Sequence, residues 1–213
     1  MDLYEKKNIR MEFVKDDRLK PNIHCHNEFE IIICKHGEFN AYINTVKHQI
    51  SGNSLLLVLP NQVHHYETVL DGDYRILIFS TEHIPMIAKK FIGKKINNSV
   101  VCLDEYPILK NAIYNFDDEY FKSKKNSSTL LMGYVNIIMY YLSYIIDVNE
   151  VSHNSDHLVT VILNFCVNNY KKEFSLDDVS KELSVSKQII SKVFNTQMGM
   201  TIPSFINYLR ITE

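Results

Sequence analysis

The stretch Ser175–Arg210, SLDDVSKELSVSKQIISKVFNTQMGMTIPSFINYLR, has the pattern of two short helices and the start of a third. Ser175 and Ser186 are placed to cap the first two helices, and Gly199 is placed to end the second. Two helices joined by a tight turn form the arrangement that places the second helix in a DNA groove. The apolar residues that recur at helical spacing are Leu176, Val179, Leu183, Ile189, Ile190, Val193 and Phe194.

If these apolar positions are buried, the second helix leaves five polar residues in solvent. Lys192 has the donor that guanine accepts, Gln188 can pair with adenine, and Ser191 suits either base. Lys187 and Asn195 are suited to phosphate oxygens. An exposed helix face is polar in most proteins, so the residue types alone leave open whether this face contacts DNA.

The charge balance predicts that the C-terminal region alone binds DNA weakly. The chain has 213 residues, a length that suits two modest domains, and its net charge is −2. Contacts to phosphate supply most of the non-specific affinity for DNA, and residues 154–213 have no net charge to offer. The charged residues there are Lys171, Lys172, Lys181, Lys187, Lys192 and Arg210 against Asp156, Glu173, Asp177, Asp178, Glu182 and Glu213.

The N-terminal third has the pattern of an antiparallel β-structure. Short apolar runs from about residue 9 to residue 79 are separated by Gly, Asn, Asp and Pro. Eight short strands in this length are typical of a small barrel or jelly roll. The predicted strands are Met11–Val14, Ile23–His26, Phe29–Lys35, Phe39–Ile43, His48–Ile50, Leu55–Leu59, His64–Val69 and Tyr74–Phe79.

Imidazole and carboxylate residues form a candidate site inside this barrel. His24 and His26 lie two residues apart, on the same face of one strand, so both rings can point inward. Glu30 and His64 complete three nitrogens and one carboxylate oxygen, a donor set suited to Mn, Fe, Ni or Zn. Tyr66 is a further candidate contact at the barrel mouth. The same residues also suit an organic effector, or a barrel that is satisfied by internal hydrogen bonds and holds no ligand.

The segment from residue 81 to residue 153 changes to helical periodicity, with helices predicted at Glu82–Ile92, Asp104–Phe121 and Leu130–Ile146. Asp156–Lys172 is predicted as a fourth helix. Leu130–Ile146 is the most apolar run, yet its length is at the lower limit for crossing a bilayer. We therefore predict no membrane span, and expect this helix to be buried between a domain and a partner.

Cysteine usage and the N-terminus predict the compartment. The cysteines at positions 25, 34, 102 and 166 form no CxxC pair and no metal-knuckle spacing, which is typical of reduced thiols. The N-terminal residues lack the apolar core of a signal peptide. We expect a cytoplasmic protein.

Two parts of the chain resemble the AraC/XylS family of transcription regulators. His24, His26, Glu30 and Gly37, followed by Gly52, Pro60 and His64, resemble the two cupin motifs at the front of such regulators. The C-terminal stretch is similar to the family's first helix-turn-helix. Its matching positions are Leu176, Val179, Leu183, Val185, Ser186, Ile190, Phe194, Gly199, Thr201, Phe205 and Arg210.

The resemblance implies an α+β multidomain protein with a cupin-like effector-binding barrel at 1–80. It implies a helical linker and dimerisation segment at 81–153, and a first helix-turn-helix subdomain at 154–213. The implied function is a ligand-responsive transcription regulator, not an enzyme, with no required cofactor and with a divalent metal in the barrel as an open alternative. The implied partners are promoter DNA, a small-molecule effector contacted by His24, His26, Glu30, His64 and Tyr66, and a second copy bound through Leu130–Ile146. Gln188, Ser191 and Lys192 occupy the family's base-reading positions.

Three departures from the family pattern qualify these expectations. Ser180 stands where a small residue, usually Ala, packs the first helix, and Ser184 replaces the turn Gly. The sequence ends at Glu213, where the family continues, so we expect a DNA-binding domain truncated after its first helix-turn-helix. An alternative function for such a truncated regulator is heterodimerisation with longer relatives. A metal-dependent cupin enzyme, such as a dioxygenase or isomerase, is the alternative, but an enzyme has no need of the C-terminal helices.

Overall fold

The computed structural model describes residues 11–44, 46–92, 94–122, 128–150, 155–198 and 200–211. Its strands are β1 Met11–Asp16, β2 Phe29–Ile43, β3 Val46–Ser51, β4 Ser54–Val58, β5 His64–Phe79, β6 Lys94–Ile96, β7 Val100–Cys102 and β8 Val148–Glu150. Its α-helices are α1 Pro85–Phe91, α2 Pro107–Lys122, α3 Ser128–Ile145, α4 Ser155–Asn169, α5 Leu176–Leu183, α6 Lys187–Met198 and α7 Ile202–Ile211.

Six strands form one antiparallel sheet in the order β1-β5-β2-β4-β7, with β3 paired to the far half of β2. The long strands β2 and β5 run antiparallel from the Phe29–Phe79 pair to the Ile43–His64 pair. Their register shifts near Gly37, whose φ of 103° is in the region that favours glycine. The shift lets two long strands bend instead of ending.

The alternation of side chains on β2 divides the interior into two layers. Phe29, Ile31 and Ile33 face outward and share one core with α1, α2 and α3. Ile32 and Cys34 face inward and join the buried residues of β3, β4 and β5. This period of two places Glu30 on the inward face as well.

The strand predictions are correct in position but wrong in number. The runs predicted as separate strands on each side of Gly37 are one strand, β2, and the last two predicted strands are one strand, β5. Ile23–His26 forms only an isolated bridge, between His24 and His64. The segment predicted to be a helical linker also contributes β6, β7 and β8, and β7 pairs with β4 in the main sheet.

Helix α3 is amphipathic in its packing although it is apolar in sequence. One face, including Val135, Ile138 and Leu142, is buried against the core shared with α2. The opposite face exposes Ile137 and Tyr144 by 43% and 71%. Within the residues described, none of the helices combines the length and hydrophobicity that a bilayer crossing requires.

Helices α4 to α7 form a second core, which includes Val179, Ile190, Phe194 and Phe205. The N-terminus of α5 has a reciprocal cap, because Ser175 and Asp178 each bond the other's backbone N–H. Ser184 ends α5 in the left-handed conformation at a φ of 52°, the conformation for which a turn Gly is usual.

The departure at Ser180 also has a structural explanation, since its hydroxyl donates to the Val185 carbonyl at 2.6 Å and ties α5 to the following turn. The predicted stop at Gly199 lies outside the described residues. Ile189, predicted to be buried, is 50% exposed. The buried stripe of α6 is Ile190, Phe194 and Met198, at a spacing of four, and Ile189 is about 100° away from it around the helix.

Candidate ligand site in the barrel and exposed face of α6

The backbone brings the predicted histidines together at one end of the barrel. His24 and His64 exchange both backbone hydrogen bonds, at 3.0 and 2.8 Å, so their side chains lie side by side. The Asn61 N–H donates to the His26 carbonyl at 2.7 Å, from a left-handed turn with a φ of 61°. Gln62 completes this turn by accepting the Leu59 N–H at 2.8 Å. The turn therefore sets the distance between the two strands that carry the rings.

The three imidazole rings form a compact group. The ring centroid of His64 lies 4.2 Å from that of His24 and 5.2 Å from that of His26. The rings of His26 and His64 are buried, whereas His24 is partly exposed. The site therefore has one side toward solvent.

Hydrogen bonds to carbonyl groups fix the orientation of two rings. Nδ1 of His24 lies 2.9 Å from the Asn22 carbonyl, and Nδ1 of His64 lies 2.8 Å from the Gln62 carbonyl. A carbonyl only accepts, so each Nδ1 carries the proton and each Nε2 is left as the ligand atom. Histidines that bind metals have this second bond almost without exception.

Glu30 is the acceptor at the centre of the group. Its Oε2 accepts from His26 Nε2 at 2.9 Å and lies 3.5 Å from His64 Nε2, and its Oε1 accepts from the Tyr66 hydroxyl at 2.9 Å. Burial alone raises the pKa of the Glu30 carboxyl, but the hydrogen bond from His26 and the close approach of the His64 ring outweigh burial, and this pKa is well below its usual value. Burial and the Glu30 carboxylate hold the pKa of Tyr66 well above its ordinary value. Glu30 is therefore a carboxylate, and Tyr66 a donor.

This donor set fits a divalent cation. The ligand atoms of His24, His26, Glu30 and His64 all lie within 4.8 Å of one another. Ligands at about 2.1 Å from a metal are roughly 3 to 4 Å apart, so only small side-chain movements are needed to bind an ion. His64 Nε2 makes no hydrogen bond within the described residues, and its only acidic neighbour there is Glu30 at 3.5 Å. A cation bound between His64 Nε2 and the Glu30 carboxylate would give the imidazole nitrogen a partner and would also interact favourably with the carboxylate.

The sequence reasoning missed Glu28 and placed Tyr66 wrongly. Glu28 is buried, and its Oε2 lies 3.5 Å from His26 Nδ1, opposite the contact to Glu30. Its separation of two from Glu30 was the available signal, because residues i and i+2 share a face of a strand. Tyr66 is 3% exposed and lies beneath Glu30 in the interior, not at the barrel mouth.

The five residues predicted on α6 differ in how they are held. Gln188 and Lys192 are exposed and make no hydrogen bond or ion pair to any described residue. Lys187 Nζ pairs with Asp177 Oδ1 on α5 at 2.8 Å. With its amide turned so that the nitrogen donates, Asn195 bonds the carbonyls of Met200 at 3.0 Å and Ser191 at 3.3 Å.

Ser191 is half-buried beside a cavity of about 470 Å³ between α5, α6 and α7, and Asn195 also lines this cavity. The matching position Arg210 has a structural role in the described residues. It donates to the carbonyls of Tyr170 and Lys172, at 2.8 and 3.0 Å, at the end of α4.

Comparison with known proteins identifies the barrel. Residues 14–95 match the family described as the AraC-like ligand binding domain. The prediction that the N-terminal region resembles the sensor domain of AraC-type regulators is therefore confirmed. Among curated proteins, none matches the chain.

Of three matching solved structures, all of low sequence identity, the first described has a similar fold. A 1.65 Å structure of ToxT from Vibrio cholerae is 14% identical, with a TM-score of 0.51 over 95% of this chain and 80% of ToxT. The AraC-like transcriptional activator CuxR is 14% identical, with a TM-score of 0.46 over 87% of this chain and 66% of CuxR. ToxT with a bound unsaturated fatty acid is 12% identical, with a TM-score of 0.33 over 92% of this chain and 94% of ToxT. This chain thus spans just under two thirds of the length of CuxR.

Proposed function

We propose that this chain, whose residues 14–95 match the AraC-like ligand binding domain, is a DNA-binding transcription regulator that responds to a ligand in its barrel. The observation that carries the DNA-binding part is the outer face of α6. There Gln188 and Lys192 are exposed and unpaired within the described residues, while Ile190, Phe194 and Met198 are buried in the core of the C-terminal helices. The four cysteines form no disulfide, which agrees with a cytoplasmic location.

The geometry of α5 and α6 supports a helix-turn-helix. Only residues 184 to 186 separate the two helices, and Val179 and Phe194 pack in the same core. Gln188 and Lys192 are four residues apart, so they lie on one side of α6 and can enter the same groove. We propose that these two residues contact bases, and that Ser191 supports them from its half-buried position. Lys187 and Asn195 are proposed as phosphate contacts that first have to leave their present partners.

A gel-shift assay with promoter DNA that flanks the protein's own gene tests this proposal. At low salt the chain is expected to shift this DNA, and Lys192→Ala is expected to weaken binding by about 1 to 3 kcal/mol. Lys181→Ala, which removes an exposed lysine from α5, is the matched control and should retain most of the affinity. Absence of any shift at low salt, or equal losses in both variants, would contradict the assignment of α6.

The ligand that the barrel geometry favours is a divalent metal ion. We propose that His24, His26, Glu30 and His64 hold it, because their donor atoms converge and two of the rings are oriented by carbonyl groups. Tyr66 is proposed to orient Glu30. A bound ion would supply a fixed positive charge, which the protein can use as a signal without any chemical step. An organic effector contacting the same five residues is the other outcome that a binding experiment can return.

We propose that two copies of the chain pair through the exposed face of α3. Leu130, Gly133, Ile137, Tyr140 and Tyr144 follow a 3-4-3-4 spacing, which is the spacing of a coiled-coil seam. Among the described residues, no atom lies within 4 Å of a Cβ added at Gly133, so the backbone is accessible to a neighbour. Residues 128–146 carry no charged side chain, so a two-fold axis brings no like charges together.

Sedimentation at micromolar concentration tests the pairing. The unmodified chain is expected to sediment as a dimer, and Ile137→Asp is expected to sediment as a monomer because it places a charge in the seam. Asn136→Asp is the matched control, since residue 136 is exposed next to the seam. A strictly monomeric unmodified chain would contradict the dimer.

A further inference from the structure

Helix α4 lies against the end of the barrel that carries the histidine and glutamate cluster. Cys25 and Val63 are 0% and 5% exposed, and both belong to the core of the C-terminal helices. Cys25 stands between His24 and His26, and Val63 directly precedes His64. Because successive side chains point to opposite faces, the same two backbone segments form the ligand site on one face and the contact with α4 on the other.

Two asparagines in left-handed turns add polar links across this contact. The Asn61 side-chain amide donates to Asn164 Oδ1 on α4 at 2.7 Å, while its backbone N–H holds the His26 carbonyl. Asn44 Oδ1 lies 3.3 Å from the Val63 N–H and 3.4 Å from the Thr160 hydroxyl on α4. Thr160 and Asn164 are four residues apart, so both links reach the same face of α4.

The opposite side of α4 continues this contact toward α6. Ile162 and Cys166 of α4 are fully buried in the same core as Ile190 and Phe194 of α6. Burial raises the pKa of the Cys166 thiol to about 12, so it remains a neutral packing group. Close-packed cores transmit displacement because they have little free volume.

We infer that α4 is the element that transmits the state of the barrel site to the C-terminal helices, through Cys25, Val63 and the Asn61–Asn164 hydrogen bond. This inference rests on the proposed ligand site and names how that site acts. A ligand that draws His24, His26 and His64 together displaces the backbone at residues 24–26 and 62–64, and α4 packs directly on that backbone. By reciprocity, anything that repositions α4 changes the affinity of the site for its ligand.

Amide hydrogen exchange of the whole chain tests the inference without DNA and without a ligand. Glu30→Gln and the milder Tyr66→Phe disturb the site from inside the barrel. Each is expected to increase exchange in residues 158–168 of α4 at least about fivefold, while exchange in residues 135–142 of α3 stays within about twofold. No increase in α4, or an equal increase in α3, which signals general unfolding, would overturn the inference.

A second variant identifies the route. In an Asn164→Ala background, Tyr66→Phe is expected to change α4 exchange by less than about twofold, because the polar link is missing. Asn169→Ala is the matched control, since the Asn169 side chain is on the same helix but, within the described part of the chain, donates to the Phe165 carbonyl alone. An α4 response to Tyr66→Phe that is undiminished in Asn164→Ala would overturn the part of the inference that assigns transmission to the Asn61–Asn164 hydrogen bond. Failure of the gel-shift assay would instead remove the proposed DNA binding and leave this result standing.

Discussion

Two buried polar clusters are anchored on β2, and they differ in how their charges are satisfied. Near the middle of β2, Asp117 of α2 bonds both Lys35 and Arg75, and Arg75 also pairs with Asp73. Near the start of β2, histidine nitrogens and the Glu30 carboxylate converge. In the first cluster, the two cations Lys35 and Arg75 are neutralised by the two anions Asp73 and Asp117. In the second cluster, several donor atoms point to one place, which is an arrangement that attracts a further cation. Burial of charge alone therefore does not identify a ligand site, but convergence of donors does.

The largest effect is expected at the complete cluster. Asp117→Ala leaves the Lys35 ammonium and the Arg75 guanidinium without their shared carboxylate, and should lower the free energy of unfolding by about 3 kcal/mol. Urea denaturation measures this loss. Asn115→Ala, at an exposed position of the same helix, is the control and should be near neutral. If Asp117→Ala lowered metal affinity as well as stability, the two clusters would not have the separate roles that we assign to them.

The next largest effect is expected at the converging cluster. His26→Ala removes a buried ligand atom and should reduce affinity for Zn²⁺ or Mn²⁺ by at least about 100-fold, as measured by calorimetry. His65→Ala is the matched control, because His65 stacks on Tyr42 outside the site with ring centroids 4.5 Å apart. Equal metal affinity in His26→Ala and the unmodified chain would refute the metal site and leave the organic effector.

A smaller change should follow from the hydroxyl that supports Glu30. Tyr66→Phe removes the 2.9 Å hydrogen bond to Glu30 Oε1 and should weaken metal binding about 10-fold. Tyr42→Phe removes a comparable bond, from Tyr42 to Glu67, on the outside of the barrel, and should leave metal affinity unchanged. Identical metal affinity in both variants would show that Tyr66 has only a packing role.

The smallest expected effect is a change in acid sensitivity. Burial raises the pKa of Asp117, but the hydrogen bonds from Lys35 and Arg75 outweigh burial and hold it below its usual value. A depressed carboxyl pKa contributes stability that is present above the unfolded-state value and is lost as pH falls through the folded-state value. Asp117→Asn should therefore flatten the decline of unfolding free energy between about pH 5 and pH 2. If the pH profile were unchanged in Asp117→Asn, ionisation of Asp117 would make no contribution to the pH dependence of stability.

The sequence predicted most of the helices and the composition of the site. A period of 3.6 residues located α4, α5 and α6 within a few residues of their observed ends. The spacing of His24 and His26 predicted that both rings point inward, because a strand has a period of two. Both rules depend only on residues close together in sequence, and they give correct predictions where one face of a helix or strand is buried.

The sequence could not predict what depends on distant contacts. The turn residues around Gly37 indicated an end to the strand, but the bulge there lets β2 continue and bend. Ile189 was assigned to the core because it is apolar. Which side of α6 is buried depends on the helices that pack against it, and these are not evident from the sequence of α6 itself. The contact of Cys25 and Val63 with α4 joins segments about 100 residues apart in sequence, and neither residue differs in type from an ordinary core residue.

The central claim is that a ligand in the barrel changes DNA binding by the C-terminal helices. Fluorescence anisotropy with labelled promoter DNA, recorded with chelator and with Zn²⁺ or Mn²⁺, measures this directly. We expect the dissociation constant to change at least about fivefold on metal addition, and we expect His26→Ala to abolish this change while it retains DNA binding in chelator. A dissociation constant that is the same with and without metal in both proteins, or an absence of DNA binding at low salt, would contradict it.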